Sequence, residues 1–159
     1  MSTLTWTDTF RLDVPRMDDT HREFVDCLAA LEAAAGDAAA SATALDALVV
    51  HTVAHFEQEE RWMAALNFAP ENCHGMQHRQ VLEVVREVVR RQATAHDREM
   101  LESLVKALAE WFPVHATMMD AALAMTMAER GFDPESGLPE KALEPEAAAI
   151  TGCGSGTCG

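Results

Sequence analysis

His21, His55, Glu59, His74, His78, His115 and Asp120 fall at spacings that place all seven in one layer of a four-helix bundle, and such a layer could hold a buried pair of metal ions. Imidazole and carboxylate donors without thiolate favour a borderline transition metal, iron or manganese, over zinc-thiolate or calcium chemistry. Five imidazoles and two carboxylates are more than one ion takes. Two ions of about six positions each, bridged by both carboxylates and one oxygen, leave about one position open for a small molecule. Without metal, Glu59 and Asp120 would be buried charges costing on the order of several kcal/mol each, so the set makes little sense as plain core.

The elements that must position these residues are four apolar-periodic segments joined by short loops, which predicts an all-α fold: an antiparallel up-down-up-down four-helix bundle with an N-terminal arm and a flexible C-terminal tail. The arm carries Trp6, Phe10, Leu12 and Val14. The first helix is expected over about residues 18–35, stopped by Gly36, and the second from an N-cap at Ser41 to about residue 67, where NFAP breaks it. Pro70 suits the first turn of a third helix over about residues 71–92. A fourth starts near His96 or Asp97 and ends at Gly131. In this topology the start of the first helix, the end of the second, the start of the third and the end of the fourth meet at one end, which is where the seven residues lie.

Within a helix, a step of four residues overshoots a full turn by about 40°, so His55 with Glu59 and His74 with His78 share faces. His115 and Asp120 are five apart, which swings Asp120 about 140° away in a regular helix. Pro113 removes a backbone donor and clashes with the carbonyl of Ala109, so we expect a kink or π-type bulge between Ala109 and Asp120 that returns Asp120 to the others.

Composition narrows the partners. Twelve Lys+Arg against 26 Asp+Glu give a net charge of −14 in 159 residues, which disfavours nucleic acid and anionic lipid. The chain opens on MSTLTWTDTFRLD, with neither a basic segment nor an apolar run, and no stretch approaches about 18 consecutive apolar residues. The expectation is an unexported, cytoplasmic protein without membrane insertion. Cys27 and Cys73 sit inside helical patterns and read as reduced thiols.

Four motifs, MDDTH (17–21), HFEQEERWM (55–63), HGMQH (74–78) and WFPVHATMMD (111–120), occur in order at matching depths, and on them the chain resembles the bacterial-type haemerythrins, non-haem di-iron proteins that bind oxygen. The resemblance runs from Trp6 to about Gly131. It implies that His74, His78 and His115 hold one iron, that His21 and His55 hold the other, and that Glu59, Asp120 and an oxo or hydroxo group bridge them. It further implies an O2 pocket at Trp111, Phe112 and Ala116. Ala116 departs from the larger aliphatic residue usual after this histidine, which should enlarge the pocket and ease autoxidation. The implied function is reversible O2 binding for storage, delivery or sensing, without enzymatic turnover. The alternative is a di-iron protein acting on nitric oxide or peroxide, or an iron donor in repair of damaged metal sites. A di-iron carboxylate enzyme would want two Glu-x-x-His motifs, and only Glu71-x-x-His74 fits. A metal-free interaction bundle is the remaining reading.

His51, one turn before His55, is read as a neighbour of the site or a packing residue rather than an eighth ligand. His96 belongs to the loop or cap before the fourth helix, and Trp62, Met63, Met118 and Met119 to the core. Residues 1–134 form the bundle in this reading. Residues 135–159 form a Pro/Gly-containing tail with Cys153 and Cys158, whose thiols could meet, take a metal ion or engage a protein partner.

Overall fold

The computed structural model describes residues 2–140 and 148–152. A 3-10 turn, Asp8–Phe10, lies in the arm, and Leu4, Phe10 and Val14 are buried against the bundle. The Asp18 carboxylate accepts the Leu12 N–H at 2.7 Å and ties the arm to the first helix. That helix, α1, is Pro15–Ala34. It starts three residues before the expected boundary because Pro15, with φ already set and no donor to lose, occupies the first turn.

Helix α2 is Ala38–Ala65, and its N-cap is Asp37, whose side chain accepts the Ala40 N–H at 2.7 Å. The expected cap, Ser41, is one turn inside: it is buried and its hydroxyl donates to the Ala38 carbonyl at 3.2 Å. Asn67, at φ +62°, turns the chain out of α2. Helix α3 is Cys73–Gln92, capped by the Asn72 side chain on the Gly75 N–H at 2.9 Å. Pro70 therefore lies in the preceding turn and not in the helix.

Helix α4 is Arg98–His115, capped by Asp97. It runs through a π turn, Ala116–Asp120, into α5, Ala121–Glu129, and Gly131 at φ +57° ends the rod. The helices pack in a ring, α1 on α2, α2 on α3, α3 on α4 and α4 on α1. This is the expected four-helix bundle, with the fourth rod in two helical pieces.

The apolar core has two parts. The larger, with Phe24, Leu28, Leu31, Leu48, Val85, Leu101, Leu104 and Phe112, fills most of the bundle. The smaller, with Met17, Trp62, Met63, Leu66, Phe68, Leu123, Met127 and Phe132, closes the end where the π turn lies. Met118, expected in the core, is exposed.

The tail packs where it is described. Phe132–Asp133 pairs antiparallel with Leu138–Pro139, and the Trp62 indole donates to the Pro134 carbonyl at 3.2 Å. Further on, Ala69 N–H donates to the Ile150 carbonyl at 2.7 Å, and Ile150 N–H to the Asn67 carbonyl at 2.9 Å. Phe132 and Ile150 cover apolar surface of the small core, which a wholly flexible extension would leave wet. The Cys73 sulfur lies 4.0 Å from the Thr151 carbonyl, while Cys153 and Cys158 fall outside the described residues.

By length and composition alone α2 is apolar enough to cross a membrane, with a mean hydropathy of 1.2 over 18 residues. Its many alanines raise that average without a continuous run of large apolar residues. In the bundle its inward face carries the buried Ser41, Thr52, His55 and Glu59.

Candidate metal centre

Between the two apolar clusters lies a polar layer made of His21 from α1, His55 and Glu59 from α2, His74 and His78 from α3, His115 at the end of α4 and Asp120 at the end of the π turn. None is more than 3% exposed. All seven predicted residues therefore converge.

Asp120 reaches the layer by the expected distortion. Pro113 has no N–H for the Ala109 carbonyl, and about two turns later the Ala121 N–H bonds the Ala116 carbonyl, five residues back. In i to i−5 bonding a residue sits over the one five before it, so Asp120 lies over His115 and its Oδ1 is 3.2 Å from His115 Nε2.

The two carboxylates face the histidines from both sides. Glu59 Oε1 is 3.0 Å from His55 Nε2 and 3.6 Å from His21 Nε2, while Oε2 is 3.2 Å from His74 Nε2 and 3.3 Å from His78 Nε2. Asp120 Oδ2 is 3.2 Å from His21 Nε2, and Oδ1 is 3.0 Å from His74 Nε2. The donor atoms fall into two groups, each within 4.8 Å internally: His74, His78, His115, Glu59 and Asp120, and His21, His55 and Glu59.

The electrostatics are those of charge packed away from water. Burial alone would lower the His21 and His74 pKa values, but Asp120 and Glu59 outweigh it and raise them to about 10 and about 9. Burial likewise pushes Glu59 and Asp120 up, and for Asp120 so does the Glu59 charge, yet the surrounding histidines hold both well below the usual carboxylate range. Burial lowers His115.

A metal fits this donor set. Nε2 of His21 and His74, Oε2 of Glu59 and both Asp120 oxygens are buried without a hydrogen bond despite their short separations, because they aim at shared points rather than at one another. Orphaned buried groups on this scale are costly unless an ion completes them.

Several neighbours went unread in the sequence. Gln77 Oε1 lies 2.8 Å from His115 Nδ1, and accepting that N–H leaves Nε2 free to face the layer. Glu60 Oε1 stands 3.6 Å from His78 Nδ1, and this histidine holds the Glu60 carboxyl below its ordinary value. Phe56 stacks on the His78 ring at 3.9 Å. Gln77 sits three residues after His74 and five after Asn72, so only its nearness to two histidines could have marked it.

The pocket residues surround the layer. The Trp111 ring stacks on His115 at 4.3 Å, Phe112 meets His21 edge-on at 5.3 Å, and Ala116 is fully buried. His51 lies outside both donor groups: its Nε2 is 3.3 Å from Glu23, its ring is 5.9 Å from that of His55, and burial lowers its pKa. His96 is in the loop before α4, 3.5 Å from the Ser41 hydroxyl at the far end of the bundle.

Comparison with known proteins agrees with the geometry. The sequence model of the hemerythrin HHE cation binding domain matches residues 12–126. The chain is 37% identical over 133 residues to a bacteriohemerythrin of Ralstonia nicotianae, covering 84% of this chain and 95% of the relative. It is 27% identical over 123 residues to a bacteriohemerythrin of Methylococcus capsulatus, covering 76% and 93%. A shorter match, 41% over 64 residues, links it to a myohemerythrin of Riftia pachyptila and covers 40% of this chain and 50% of that one. Helices, polar layer and relatives agree: the chain belongs to the hemerythrin HHE cation-binding family.

Proposed function

We propose that the polar layer holds two non-haem irons and binds O2 reversibly, without enzymatic turnover. His74, His78 and His115 would hold one ion, His21 and His55 the other, and Glu59, Asp120 and an oxo or hydroxo group would bridge them. The observation that carries the reading is the uneven division of histidines around two carboxylates that each face both sides. Three imidazoles, two carboxylate oxygens and one bridging oxygen fill about six positions, whereas the side with His21 and His55 keeps about one open. Bound there, a ferrous pair supplies the two electrons that reversible oxygen binding requires.

The chain's own residues do the rest. Gln77 fixes the His115 tautomer, and Phe24, Phe56, Phe112 and Trp111 exclude water from the layer. Ala116, beside His115, leaves room for a small ligand. The reading takes residues 1–134 as the functional bundle, residues 135–159 as a tail available to a protein partner, and the cytoplasm as the setting. Anaerobic reduction followed by air, with the visible spectrum recorded, tests the function. A charge-transfer band that appears with air and disappears on deoxygenation is the expected result, and irreversible bleaching would overturn the carrier reading.

A second reading, exchange of iron with damaged metal sites, is favoured by one observation. A polar cleft reaches His55 from solvent.

A further inference from the structure

The cleft lies between α1 and α2 and has a volume of about 510 Å³. Asp19, Glu23, His51 and Gln58 wall it, Arg16 stands at its rim, and His55 forms part of its floor. His55 is only 3% exposed; its Nε2 turns to Glu59, while its Nδ1 is buried without a hydrogen-bond partner. One turn away, His51 Nε2 faces the Glu23 carboxylate at 3.3 Å, and His51 Nδ1 is likewise unpartnered. The cleft's own cation is paired within it: Arg16 donates to Gln58 at 2.9 Å and pairs with Glu135 at 3.2 Å, and both partners also line the cleft. Asp19 pairs with Arg22 at 2.9 Å. That leaves a carboxylate and an imidazole side by side above a buried imidazole.

Elsewhere aromatic rings cover much of the layer, and the partly exposed Glu60 beside His78 is a second polar group at its edge. Phe56 covers His78, Trp111 covers His115, and Phe24 and Phe112 stack beside His21. A hydrated cation crossing those rings would lose water with nothing to replace it. Along the cleft, oxygen and nitrogen donors replace its hydration stepwise, and a carboxylate with imidazole suits a divalent transition metal.

We propose that this cleft is the port by which a divalent transition-metal ion reaches the centre, with Glu23 and His51 forming a transit site that passes the ion to His55. The proposal rests on the seven-residue layer being a metal centre. Its test uses the full chain, stripped of metal, mixed anaerobically with Fe²⁺ alone and followed for both rate and final stoichiometry. Glu23→Gln and His51→Gln should slow uptake about tenfold or more while leaving the final stoichiometry unchanged. The Glu23 side chain is 67% exposed, so its substitution leaves the core intact. Glu99→Gln, on the first turn of α4, should load at the wild-type rate. Wild-type rates in both cleft variants would overturn the port and leave the centre standing. A His51→Gln protein that loses final stoichiometry, while Glu23→Gln loads normally, would also overturn the port by making His51 a resident ligand. Wild-type protein that takes up no Fe²⁺ would overturn the centre itself.

Discussion

The polar layer and the large apolar core are equally dry, yet they are held together by opposite physics. Leu31 and Leu48 are as buried as His21 and Asp120. Each leucine contributes by leaving water, and contributes the same whatever else is bound. Each layer residue loses hydration on folding and regains it only from a partner, and the partners present leave several buried nitrogens and oxygens without hydrogen bonds. One region is therefore complete in the chain alone, and the other, on the proposed reading, is completed by ions.

Metal removal is the strongest way to break this contrast. Stripping the protein should lower stability by on the order of several kcal/mol, read as a drop in Tm, because binding free energy to a site absent from the unfolded chain is folding free energy. Hydrogen exchange should then rise first around His55, Glu59 and the π turn, while amides beside Leu48 and Leu104 stay protected. A uniform rise across both regions would abolish the distinction. Leu48→Ala is the converse experiment. It should cost about 2–5 kcal/mol in loaded and stripped protein alike, with metal stoichiometry unchanged.

Acidity sharpens the contrast next. In the metal-free protein His21 and His74 titrate at about 10 and about 9, above the ordinary 6.5, so their stabilisation is full below 6.5 and is lost as pH rises through 9 to 10. Glu59 and Asp120 are depressed, so theirs is present above the ordinary values of 4.5 and 3.8 and is lost as pH falls through the lower folded values. Metal must displace the two imidazole protons. Loading at pH 7 should release about two protons per chain from these histidines, besides any from a bridging water, and affinity should climb at least about a hundredfold per pH unit from 6.5 towards 9. Titration calorimetry in buffers of different ionisation enthalpy measures the release, and no release would mean the layer is already neutral.

A smaller effect belongs to Gln77, which touches the layer without belonging to it. Gln77→Ala should weaken metal affinity about 10–100-fold through the freed His115 ring, with little change in the Tm of the stripped protein. Gln77→Glu keeps the acceptor and should recover most of the affinity, as competition with a chelator would measure. Equal affinities for the wild type and Gln77→Ala would mean that packing against Trp111 alone orients the ring.

What the sequence made legible follows the same division. Spacing was enough for His55, Glu59, His74 and His78, since four-residue steps keep a face in any regular helix, and Pro113 announced the irregularity that Asp120 needed. Capping was less legible. Asp37 and Ser41 are both good caps, and the choice rests on Ser41 being needed inside. Gln77 was hidden because its role depends on a ring presented by another helix. In the described stretch of the tail, the contact of Ile150 with the small core was not legible, because its target exists only once the helices have packed.

Ala116 lies where the two regions meet, and so gives the finest test. It is fully buried, belongs to the apolar core, and directly follows His115. Ala116→Ile extends the apolar region into the layer. Added carbons at this fully buried position should cost about 1–3 kcal/mol where they exceed the space that Ala116 leaves. The same added carbons should narrow the space that water or an anion needs beside His115, so autoxidation of the oxygenated protein should slow by a few-fold as stability falls. Opposite movement of the two quantities is the signature of a boundary residue. An unchanged decay of the visible band, with Tm lowered as expected, would show that access is controlled elsewhere and remove Ala116 from the account of reversibility.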